Sequence, residues 1–532
     1  MFAAEHIQYS QTNNFSKIVN DYLSQSPDLR PFYNVLPDLN GIKEVIRQRQ
    51  SGKDIDRITL MQVLNDQYRS VSATDDVRSN IAALSESNSF TIVTAHQPNL
   101  FTGPLYFIYK ILHTVKLSRF LKEQLPSYNF VPVFYMGSED ADLAELNHFT
   151  VKGKRYEWKT DQKGAVGRMV IDKKVIGLID ELEQQVGIEP YGKKIISMLR
   201  KCYQKGISVQ QATFLMVNEL LGEYGVVVLI ADDSRLKKQM LKVFEQDIFE
   251  QIPSQIVSET SLRLNEKYNV QAHPREINLF YLKDHIRERI VSVNDHFIVH
   301  GTDISFTKEM LIEELEQHPE RFSPNVILRG LYQESILPNL VFIGGGGEMA
   351  YWLQLKDLFK HYGVAFPVLV LRNSFLIVDR SAGEKIGKLN FSVGDFFQNE
   401  NYLMNRVVEM NSTNQVSLNG NFEMADALFE RIGLQAGSVD PTLAKHVAAI
   451  KARSLKTLKE LEKKMLRAEK RKFSDQKRQI ENIKAKLFPK NGLQERVENV
   501  AGFYAHFGPR IIEEIYRHSL ALEQEFVIIS EE

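Results

Sequence analysis

Five short apolar runs, each bounded by polar or turn-forming residues, occur along the chain. They are residues 90–94 (FTIVT), 131–136 (VPVFYM), 226–230 (VVVLI), 340–343 (LVFI) and 367–371 (PVLVL). Continuous apolar runs of this length, rich in β-branched residues, are typical of strands buried on both faces of a parallel sheet. The pattern therefore predicts five core strands.

Helical and irregular segments separate these strands. An amphipathic helix is predicted over 105–124, so the first two strands form a strand–helix–strand unit with a right-handed crossover. Turns rich in Lys and Gly in 149–175 and hairpin-like pieces in 265–320 predict two insertions. This order implies an open, mostly parallel α/β sheet covered on both faces. Such sheets bind ligands beyond the carboxyl ends of their strands, where the strand order reverses.

A long stretch without glycine or proline follows Pro441 and ends at Pro489. Its apolar residues have the 3,4 spacing of a coiled-coil seam at Leu458, Leu461, Met465, Ala468, Ile480, Ile483 and Leu487. Residues 493–526 are predicted to fold back as a second helix. Basic residues outnumber acidic ones by 16 to 6 over residues 440–490. Nucleic-acid binding is therefore an alternative to the favoured interpretation, a solvated antiparallel or dimeric coiled coil.

The segments predicted in this way cover the whole chain. They are a helical N-terminal part (1–88), the first half of the core (89–148), a first insertion (149–205), a continuation of the core (206–264), a second insertion (265–325), the second half of the core (326–439), and a coiled-coil arm with a C-terminal helix (440–532).

Composition narrows the class of protein. The 532 residues carry 66 basic and 67 acidic side chains, which argues against a chain that binds nucleic acid or membrane through its overall charge. The one cysteine, Cys202, can form neither an internal disulfide nor a multi-thiolate zinc site. The start of the chain does not resemble a signal peptide, and no apolar run reaches the roughly 18 residues that cross a bilayer. A cytoplasmic protein is expected.

The first group of candidate site residues follows the first predicted strand, in the segment TAHQPNLFTGPLY (94–106). A loop between a strand and a helix directs free backbone N–H groups at one point, which favours an anion or a nucleotide phosphate. His96 is a candidate catalytic residue that could donate to a phosphate oxygen, and Gly103 would let a nucleotide approach. The candidate substrate-binding residues are Gln97, Asn99, Thr102 and Tyr106. The alternative is a turn held by local hydrogen bonds, with His96 as a packing residue.

Carboxylates form the second group, after the second strand. Glu139 and Asp140 are candidate catalytic residues, because grouped carboxylates can hold an ammonium group or Mg²⁺ and can take the proton of an attacking amine. The candidate substrate-binding residues here are Asp142, Asn147 and His148. Asp232, after the third strand, is a candidate nucleotide-binding residue. The alternative is that these acids cap helices and complement their dipoles.

The third group surrounds the last two strands. Arg329 is suited to bidentate contact with a substrate carboxylate, with a structural ion pair as the alternative. Gln333 and Glu348 are further candidate substrate-binding residues. The candidate nucleotide-binding residues are Gly344, Gly345, Gly346, Gly347, Arg372, Ser374, Arg496 and Tyr504. Four glycines in a row let a ligand approach the backbone, although a flexible loop would have the same composition. Packing between the last helices is the alternative role of Arg496 and Tyr504.

Several of these segments occur together, and in the same order, in a known family. The blocks HQPNLFTGPLYFIYK, VPVFYMGSEDADLAELNH and SPNVILRGLYQESILPNLVFIGGGGEMAYWLQLK resemble the signature blocks of the bacillithiol cysteine-adding enzymes. The VVVLIADD strand and the late LFPKNGLQER segment are similar as well. The resemblance extends from about residue 90 to the C-terminus.

The resemblance implies a ligase that joins L-cysteine to glucosaminyl-malate through an amide bond and so gives bacillithiol. It also implies a Rossmann-like core similar to that of class I aminoacyl-tRNA synthetases, with two connecting insertions and a coiled coil used in homodimerisation. Residues 96–99 would occupy the place of the ATP-binding histidine motif, with one histidine instead of two. ATP or ADP, with Mg²⁺, is the expected cofactor, and zinc is not expected.

Two other classes of function stay open. A non-catalytic nucleotide-sensing or scaffold protein could use a degenerate Rossmann site to control the coiled coil, and the basic arm could bind nucleic acid. For a ligase, the sequence leaves open whether the cysteine carboxyl group is activated as an adenylate, as an acyl phosphate or by another donor.

Overall fold

The computed structural model describes residues 2–294, 296–414 and 417–532. The strands are β1 (Phe2–Gln8), β2 (Ser89–His96), β3 (Asn129–Met136), β4 (His148–Val151), β5 (Lys154–Glu157), β6 (Val227–Ile230), β7 (Leu279–Lys283), β8 (Ile286–Val293), β9 (His296–Val299), β10 (Ser305–Phe306), β11 (Phe322–Pro324), β12 (Asn339–Gly344), β13 (Val368–Leu371), β14 (Ser374–Val378) and β15 (Glu525–Glu531). The α-helices are α1 (Lys17–Leu23), α2 (Leu39–Ser51), α3 (Arg57–Tyr68), α4 (Asp75–Ala83), α5 (Tyr106–Gln124), α6 (Leu143–Leu146), α7 (Lys173–Val186), α8 (Gly192–Cys202), α9 (Val209–Leu221), α10 (Ser234–Lys237), α11 (Leu241–Phe249), α12 (Ile252–Asn265), α13 (Lys308–Gln317), α14 (Val326–Ile336), α15 (Gly346–Trp352), α16 (Lys356–Tyr362), α17 (Arg380–Lys388), α18 (Glu400–Asn411), α19 (Asn419–Val439), α20 (Pro441–Lys470), α21 (Ser474–Leu487), α22 (Val500–Phe507) and α23 (Arg510–His518).

The central sheet has the strand order β13–β12–β2–β3–β6, and every neighbouring pair is parallel. These are the five strands that the apolar runs predicted, with ends shifted by one or two residues. They are buried because both faces of the sheet are covered, and every residue of β6 and β13 is buried. The chain builds outward from β2 in one direction and then from β12 in the other. The order therefore reverses between β2 and β12, as in a Rossmann-like fold.

Two smaller antiparallel sheets occupy the predicted insertions. The first is the hairpin β4–β5, and the second has the order β10–β9–β8–β7–β11. The β-structure predicted in these two parts of the chain is confirmed. In the second sheet, β11 leads directly into α14, so the insertion ends where a helix of the core begins.

The two ends of the chain meet in a sheet of order β1–β15–β14. The prediction of a second helix over 493–526 was wrong, since this part forms α22, α23 and then enters β15. Gly508, with φ of 70°, separates the two helices, and the buried apolar residues 526–529 favour a strand. The prediction of a helical N-terminal part holds for α1 to α4 but misses β1.

The chain divides into two compact units. The first consists of residues up to 377 together with 492–529, and the second of 378–491 with 530–532. In the second unit α19 and α20 form an antiparallel hairpin, because Gly437 lies against Ala444, Gly433 against Val447 and Glu430 against Lys451. The predicted coiled coil is thus present, but its predicted seam does not continue to Ile480, Ile483 and Leu487, which lie on α21 after α20 has ended at Lys470. The seven predicted segment boundaries stay predictions. Among the described residues, no helix is both long and apolar enough to cross a membrane.

Candidate functional site

A cavity of about 480 Å³ lies at the carboxyl ends of β2, β3, β6 and β12. This is the place where an open parallel sheet binds its ligands. Of the residues predicted from the sequence, the cavity wall contains His96, Gln97, Tyr106, Glu139, Asp140, Asp232, Arg329, Gly345, Gly346, Gly347, Glu348, Arg372 and Arg496. Segments that are far apart in the sequence therefore meet at one site.

His96, the last residue of β2, is a neutral imidazole. Its Nδ1 lies 3.1 Å from the Gln97 carbonyl oxygen and must donate, so Nε2 accepts the hydroxyl of Tyr106 at 3.1 Å. Burial, aided by the nearby Lys110 ammonium, lowers the pKa of His96 to about 4. Burial also raises the pKa of Tyr106 to about 12, so its hydroxyl keeps its proton. The pair therefore presents an uncharged imidazole and an uncharged hydroxyl to a ligand.

Asp140 is a carboxylate of the wall without a cationic partner. Gln97 donates to its Oδ2 at 3.0 Å, and the backbone N–H of Asp142 donates to its Oδ1 at 3.1 Å. No Lys, Arg or His among the described residues lies within ion-pair distance of it. The Asp140 charge is therefore oriented by neutral donors and stays available to a bound cation or ammonium group.

The neighbouring acids are engaged differently. Glu139 pairs with Lys237, whose side chain is completely buried and also lies 3.4 Å from Asp232. Arg168 donates two hydrogen bonds of 2.8 Å to Asp232. Burial raises the pKa of Glu139, whereas at Asp232 burial is outweighed by Lys237 and Arg168, which hold its pKa below the usual range. These two acids belong to an internal ion-pair network.

Lys110 connects the two strands at the reversal point. Its side chain is 1% exposed, and its ammonium donates to the Ala95 carbonyl at the end of β2 and to Glu348 at 2.6 Å. Glu348 also accepts the backbone N–H of Gly345 at 2.8 Å. Burial alone would raise the pKa of Glu348, but Lys110 and this N–H outweigh it and hold the pKa below its usual range. The pair fixes the glycine turn against β2.

Arg329, on α14, is a cation of the wall without an anionic partner. Its guanidinium donates to the Tyr351 hydroxyl at 2.6 Å and to Gln333 at 3.1 Å. Gln333 is itself held by a 2.8 Å hydrogen bond to Glu334. No carboxylate of the described residues forms an ion pair with Arg329, so the structural ion pair weighed from the sequence does not occur among them. Neutral groups orient Arg329 toward the cavity.

The two remaining arginines of the predicted set differ from each other. Arg372 is buried and donates to Glu495 at 2.8 Å and to Ser374 at 3.0 Å, so its charge is compensated within the protein. Arg496 is exposed at the cavity and makes no ion pair with a described residue. Of the two, Arg496 is the guanidinium free to contact an anion.

Beyond Gln97, the loop after His96 packs inward instead of facing the cavity. Asn99 and Thr102 are 3% and 0% exposed and do not reach the cavity wall. Gly103 has φ of 60°, and a Cβ there would lie 2.7 Å from the Asn99 side chain. The Asn499 amide donates to the carbonyls of Phe101, at 2.8 Å, and Gly103. The glycine thus serves a close contact within the protein.

Replacing Asn499 with alanine is expected to lower the free energy of unfolding by about 3 kcal/mol, because two buried carbonyls lose their donor and α22 loses its N-cap. Urea denaturation of the full chain measures this. Asn399→Ala removes only an N-cap, that of α18, and should cost about 1 kcal/mol. Equal losses in the two variants would contradict the anchoring role.

Other predicted residues also lie outside the cavity wall. Asp142 caps α6 through the N–H of Glu145 at 3.2 Å, and the Asn147 amide donates to the Trp158 carbonyl at 3.2 Å. The other residues outside the wall are His148, Gln333, Gly344, Ser374 and Tyr504. Gln333 and Ser374 still act on the site through Arg329 and Arg372, to which they are hydrogen bonded.

Four basic residues in or beside the cavity wall had no predicted role: Lys110, Arg168, Lys237 and Arg287. The carboxylate of Glu145, in the wall, had none either. A signal existed for Lys110, since a lysine within the apolar helical run YFIYKILHTV needs a buried partner. Arg168 and Arg287 belong to the insertions. Their contacts with the core depend on tertiary packing, which residue spacing does not reveal.

Acid is expected to destabilise the protein through two buried histidines. His113 accepts the Asn373 N–H at 3.1 Å, donates to the Ala521 carbonyl at 2.9 Å, and burial lowers its pKa to about 4, as it does for His96. The unfolded chain binds these protons near pH 6.5, so stability is complete above that value and falls as the pH drops from 6.5 toward 4. The loss is about 2 kcal/mol per histidine by pH 5.

Guanidinium denaturation at pH 7.5 and pH 5 tests this expectation. His113→Gln keeps a donor and an acceptor but does not titrate, so the difference between the two pH values should shrink by about 2 kcal/mol. An unchanged difference in that variant would refute the assignment.

Comparison with known proteins agrees with this geometry. Residues 2–373 match the family model of the N-terminal Rossmann-like domain of bacillithiol biosynthesis BshC, and residues 375–531 match that of its C-terminal coiled-coil domain. The chain belongs to the BshC family. A relative from Flavobacterium johnsoniae is 39% identical over 525 residues, which are 98% of this chain and 99% of the relative. One from Christiangramia forsetii is 39% identical over 530 residues, 98% of each chain.

Both relatives bear the name "Putative cysteine ligase BshC". A solved structure from Campylobacter jejuni, described as an arginyl-tRNA synthetase, covers 81% of this BshC family member and 99% of its own chain, at 12% identity and a TM-score of 0.20. So low a score supports no conclusion. The family membership confirms the resemblance found in the sequence, and the parallel sheet with the helical coiled coil confirms the predicted fold class.

Proposed function

We propose that this protein joins the carboxyl group of L-cysteine to the amine of glucosaminyl-malate in an amide bond, giving bacillithiol, and that ATP or ADP with Mg²⁺ takes part. One observation carries the proposal: a single cavity contains a carboxylate without a cationic partner, Asp140, and a guanidinium without an anionic partner, Arg329. An amine-bearing acceptor with carboxylates complements both. Family membership over nearly the whole chain supports the same reaction.

Asp140 would bind the ammonium group of the acceptor and take its proton. The amine must be neutral to attack a carbonyl carbon, so a base within hydrogen-bond reach is required. Asp140 is oriented by Gln97 and by the Asp142 N–H, and it has no ion-pair partner among the described residues before the substrate binds. Arg329 would hold an acceptor carboxylate, because its planar guanidinium can donate two parallel hydrogen bonds.

The glycine turn after β12 would accept the nucleotide. A Cβ at Gly347 would meet no atom within 4 Å, so the backbone there faces open space. The Gly345 N–H is taken by Glu348, so the N–H groups offered to phosphate oxygens would be those of Gly346 and Gly347 at the start of α15, and Arg496 adds a positive charge at the cavity. Mg²⁺ would arrive with the phosphates, since it usually keeps phosphate and water ligands.

The proposed chemistry has two steps. A carboxylate oxygen of cysteine would first attack a phosphorus atom of ATP, and a P–O bond of the triphosphate chain would break, with pyrophosphate leaving if an adenylate forms or ADP leaving if an acyl phosphate forms. The carboxylate thereby becomes an acyl group that carries a phosphate leaving group. The amine nitrogen then attacks the carbonyl carbon, the C–N bond forms, and the phosphate leaves with the electron pair of the broken C–O bond. The ammonium proton passes to Asp140. The Tyr106 hydroxyl donates its hydrogen bond to His96 when no substrate is bound. It could donate to the substrate only if the substrate displaced His96 from this contact.

The test is to incubate the purified chain with L-cysteine, glucosaminyl-malate and Mg-ATP and to follow the thiol product and the nucleotides by mass spectrometry. Bacillithiol with AMP is expected for an adenylate, and bacillithiol with ADP for an acyl phosphate. Product that forms without nucleotide turnover would refute nucleotide activation. No product, even with added cell extract, would refute the ligase.

We also propose a homodimer through the α19–α20 hairpin. Its surface carries exposed apolar side chains, including Met424 at 65%, Leu434 at 77% and Val439 at 79% exposure. Exposed apolar patches of this kind mark interaction surfaces. Light scattering should give twice the mass of one chain, which is 61.2 kDa. The double variant Leu434→Glu and Val439→Glu should have the mass of a single chain. A monomeric mass for the unaltered chain would contradict the dimer.

A further inference from the structure

Arg287 brings a positive charge from the second insertion into the cavity wall. It lies on β8, and its Nε donates to the Ser323 hydroxyl at 3.2 Å while the guanidinium carbon lies 4.0 Å from the centre of the Phe280 ring. No carboxylate of the described residues forms an ion pair with it. The side chain is therefore oriented by a neutral hydroxyl and an aromatic ring, and it has no carboxylate at ion-pair distance among the described residues.

Arg287 and Arg329 are linked by the short segment that runs from β11 into α14. Ser323, which holds Arg287, belongs to β11, and Asn325 caps α14, on which Arg329 lies one turn further along. A helical turn advances only about 5 Å. Both guanidinium groups line the same cavity, together with Pro324 and Asn325. The cavity wall thus has two cationic positions, on different elements.

Two partly buried cations that lack anions are unfavourable in the empty cavity. Desolvation lowers the pKa of Arg287, although the carboxylates of Asp140, Glu139 and Glu288 favour its charged form. A ligand that supplies two anionic groups would compensate both guanidinium groups, and each Arg–carboxylate contact can be bidentate. The malate portion of glucosaminyl-malate carries two carboxylates.

We propose that Arg287 is a specificity-determining residue that binds the second carboxylate of the acceptor, so that the cavity selects a dicarboxylate over a monocarboxylate. This inference rests on the proposed function for the identity of the acceptor. Arg287, in the second insertion, would then distinguish the two kinds of acceptor, whereas Arg329, on α14, would bind the carboxylate that both kinds carry.

Isothermal titration of the full chain tests the inference without turnover. The probes are glucosaminyl-malate and glucosaminyl-lactate, which lacks one carboxylate. The unaltered chain should bind the malate compound about 10- to 100-fold more tightly. Arg287→Met should remove most of this preference by weakening the malate compound alone, and Arg287→Lys should restore part of it. Arg289→Met, two residues along β8 and outside the cavity wall, should leave both affinities unchanged.

Two results would overturn the inference: equal affinity of the unaltered chain for both compounds, or equal weakening of both by Arg287→Met. The second would mean that Arg287 acts through the fold or through Asp140. Failure of the proposed function is distinguishable, because selective binding of the malate compound without amide formation would refute the ligase and leave the role of Arg287 intact.

Discussion

Replacing Asp140 with asparagine is expected to lower kcat for amide formation on the order of 10³-fold, the usual loss for a positioned base. Asparagine has nearly the same shape and can still accept a hydrogen bond from Gln97 or from the Asp142 N–H, so the loop should keep its conformation. Only the negative charge is lost, and with it the group that takes the amine proton. Single-turnover mass spectrometry with saturating substrates measures the rate.

Asp142→Asn is the matched control. This acid lies on the same loop, caps α6 and stays outside the cavity wall, so its charge contributes at most about 1 kcal/mol to the helix and nothing to the reaction. Its kcat should stay within about twofold of the unaltered value. If both variants lose activity alike, the loop conformation and not the Asp140 carboxylate is what matters. Full activity in Asp140→Asn would remove Asp140 from the mechanism.

Replacing Arg329 with methionine is expected to reduce kcat/KM about 100-fold, mainly through a higher KM for glucosaminyl-malate, because a charge-assisted bidentate contact is lost. The thermal stability of the Arg329→Met variant should not fall, although its activity does. Arg329 has no carboxylate partner among the described residues, so its removal leaves no buried charge unpaired. Thermal unfolding without substrate should therefore show an equal or higher Tm.

Arg49→Met provides the contrast. Arg49 forms a buried ion pair with Glu334, whose side chain is completely inaccessible, and it also donates to the Asn339 carbonyl at 2.8 Å. Its removal leaves an unpaired buried carboxylate and should cost about 3–5 kcal/mol. A comparable loss of stability in Arg329→Met would show that Arg329 is structural, and an unchanged KM would show that it does not bind the acceptor.

The sheet could be predicted from the sequence because its strands are buried on both faces. Such strands are continuous apolar runs, and residues 226–230 are an example that only a parallel strand or a buried helix explains. The terminal strand β15 was missed, although residues 526–529 have the same character, because the preceding helical pattern was extended over them. The local hydrophobic pattern usually shows whether a segment is a helix or a strand, but a short apolar run that follows a helix fits both.

The site could be predicted only in part, for a different reason. His96, Asp140 and Arg329 follow strand ends or lie on an adjacent helix, so the topology alone brings them together. Asn99 and Gly103 have the same sequence character, yet they pack against each other and against Asn499. A glycine required for close packing and one required for ligand access look alike in a sequence. Arg287 approaches from an insertion whose placement no spacing rule gives.

The strand β15 contains nearly the last residues of the chain, yet it lies between β1 and β14 in its sheet. During synthesis the residues up to 377 therefore emerge from the ribosome before β15, the middle strand of that sheet, and before Glu495, the partner of Arg372. The whole coiled-coil hairpin is translated in the meantime. Because Arg496 lines the cavity and Glu495 holds Arg372, the cavity wall is complete only after the segment that follows the coiled-coil hairpin has been translated. A stop codon before residue 495 would therefore abolish the site, although every strand of the central sheet would be present.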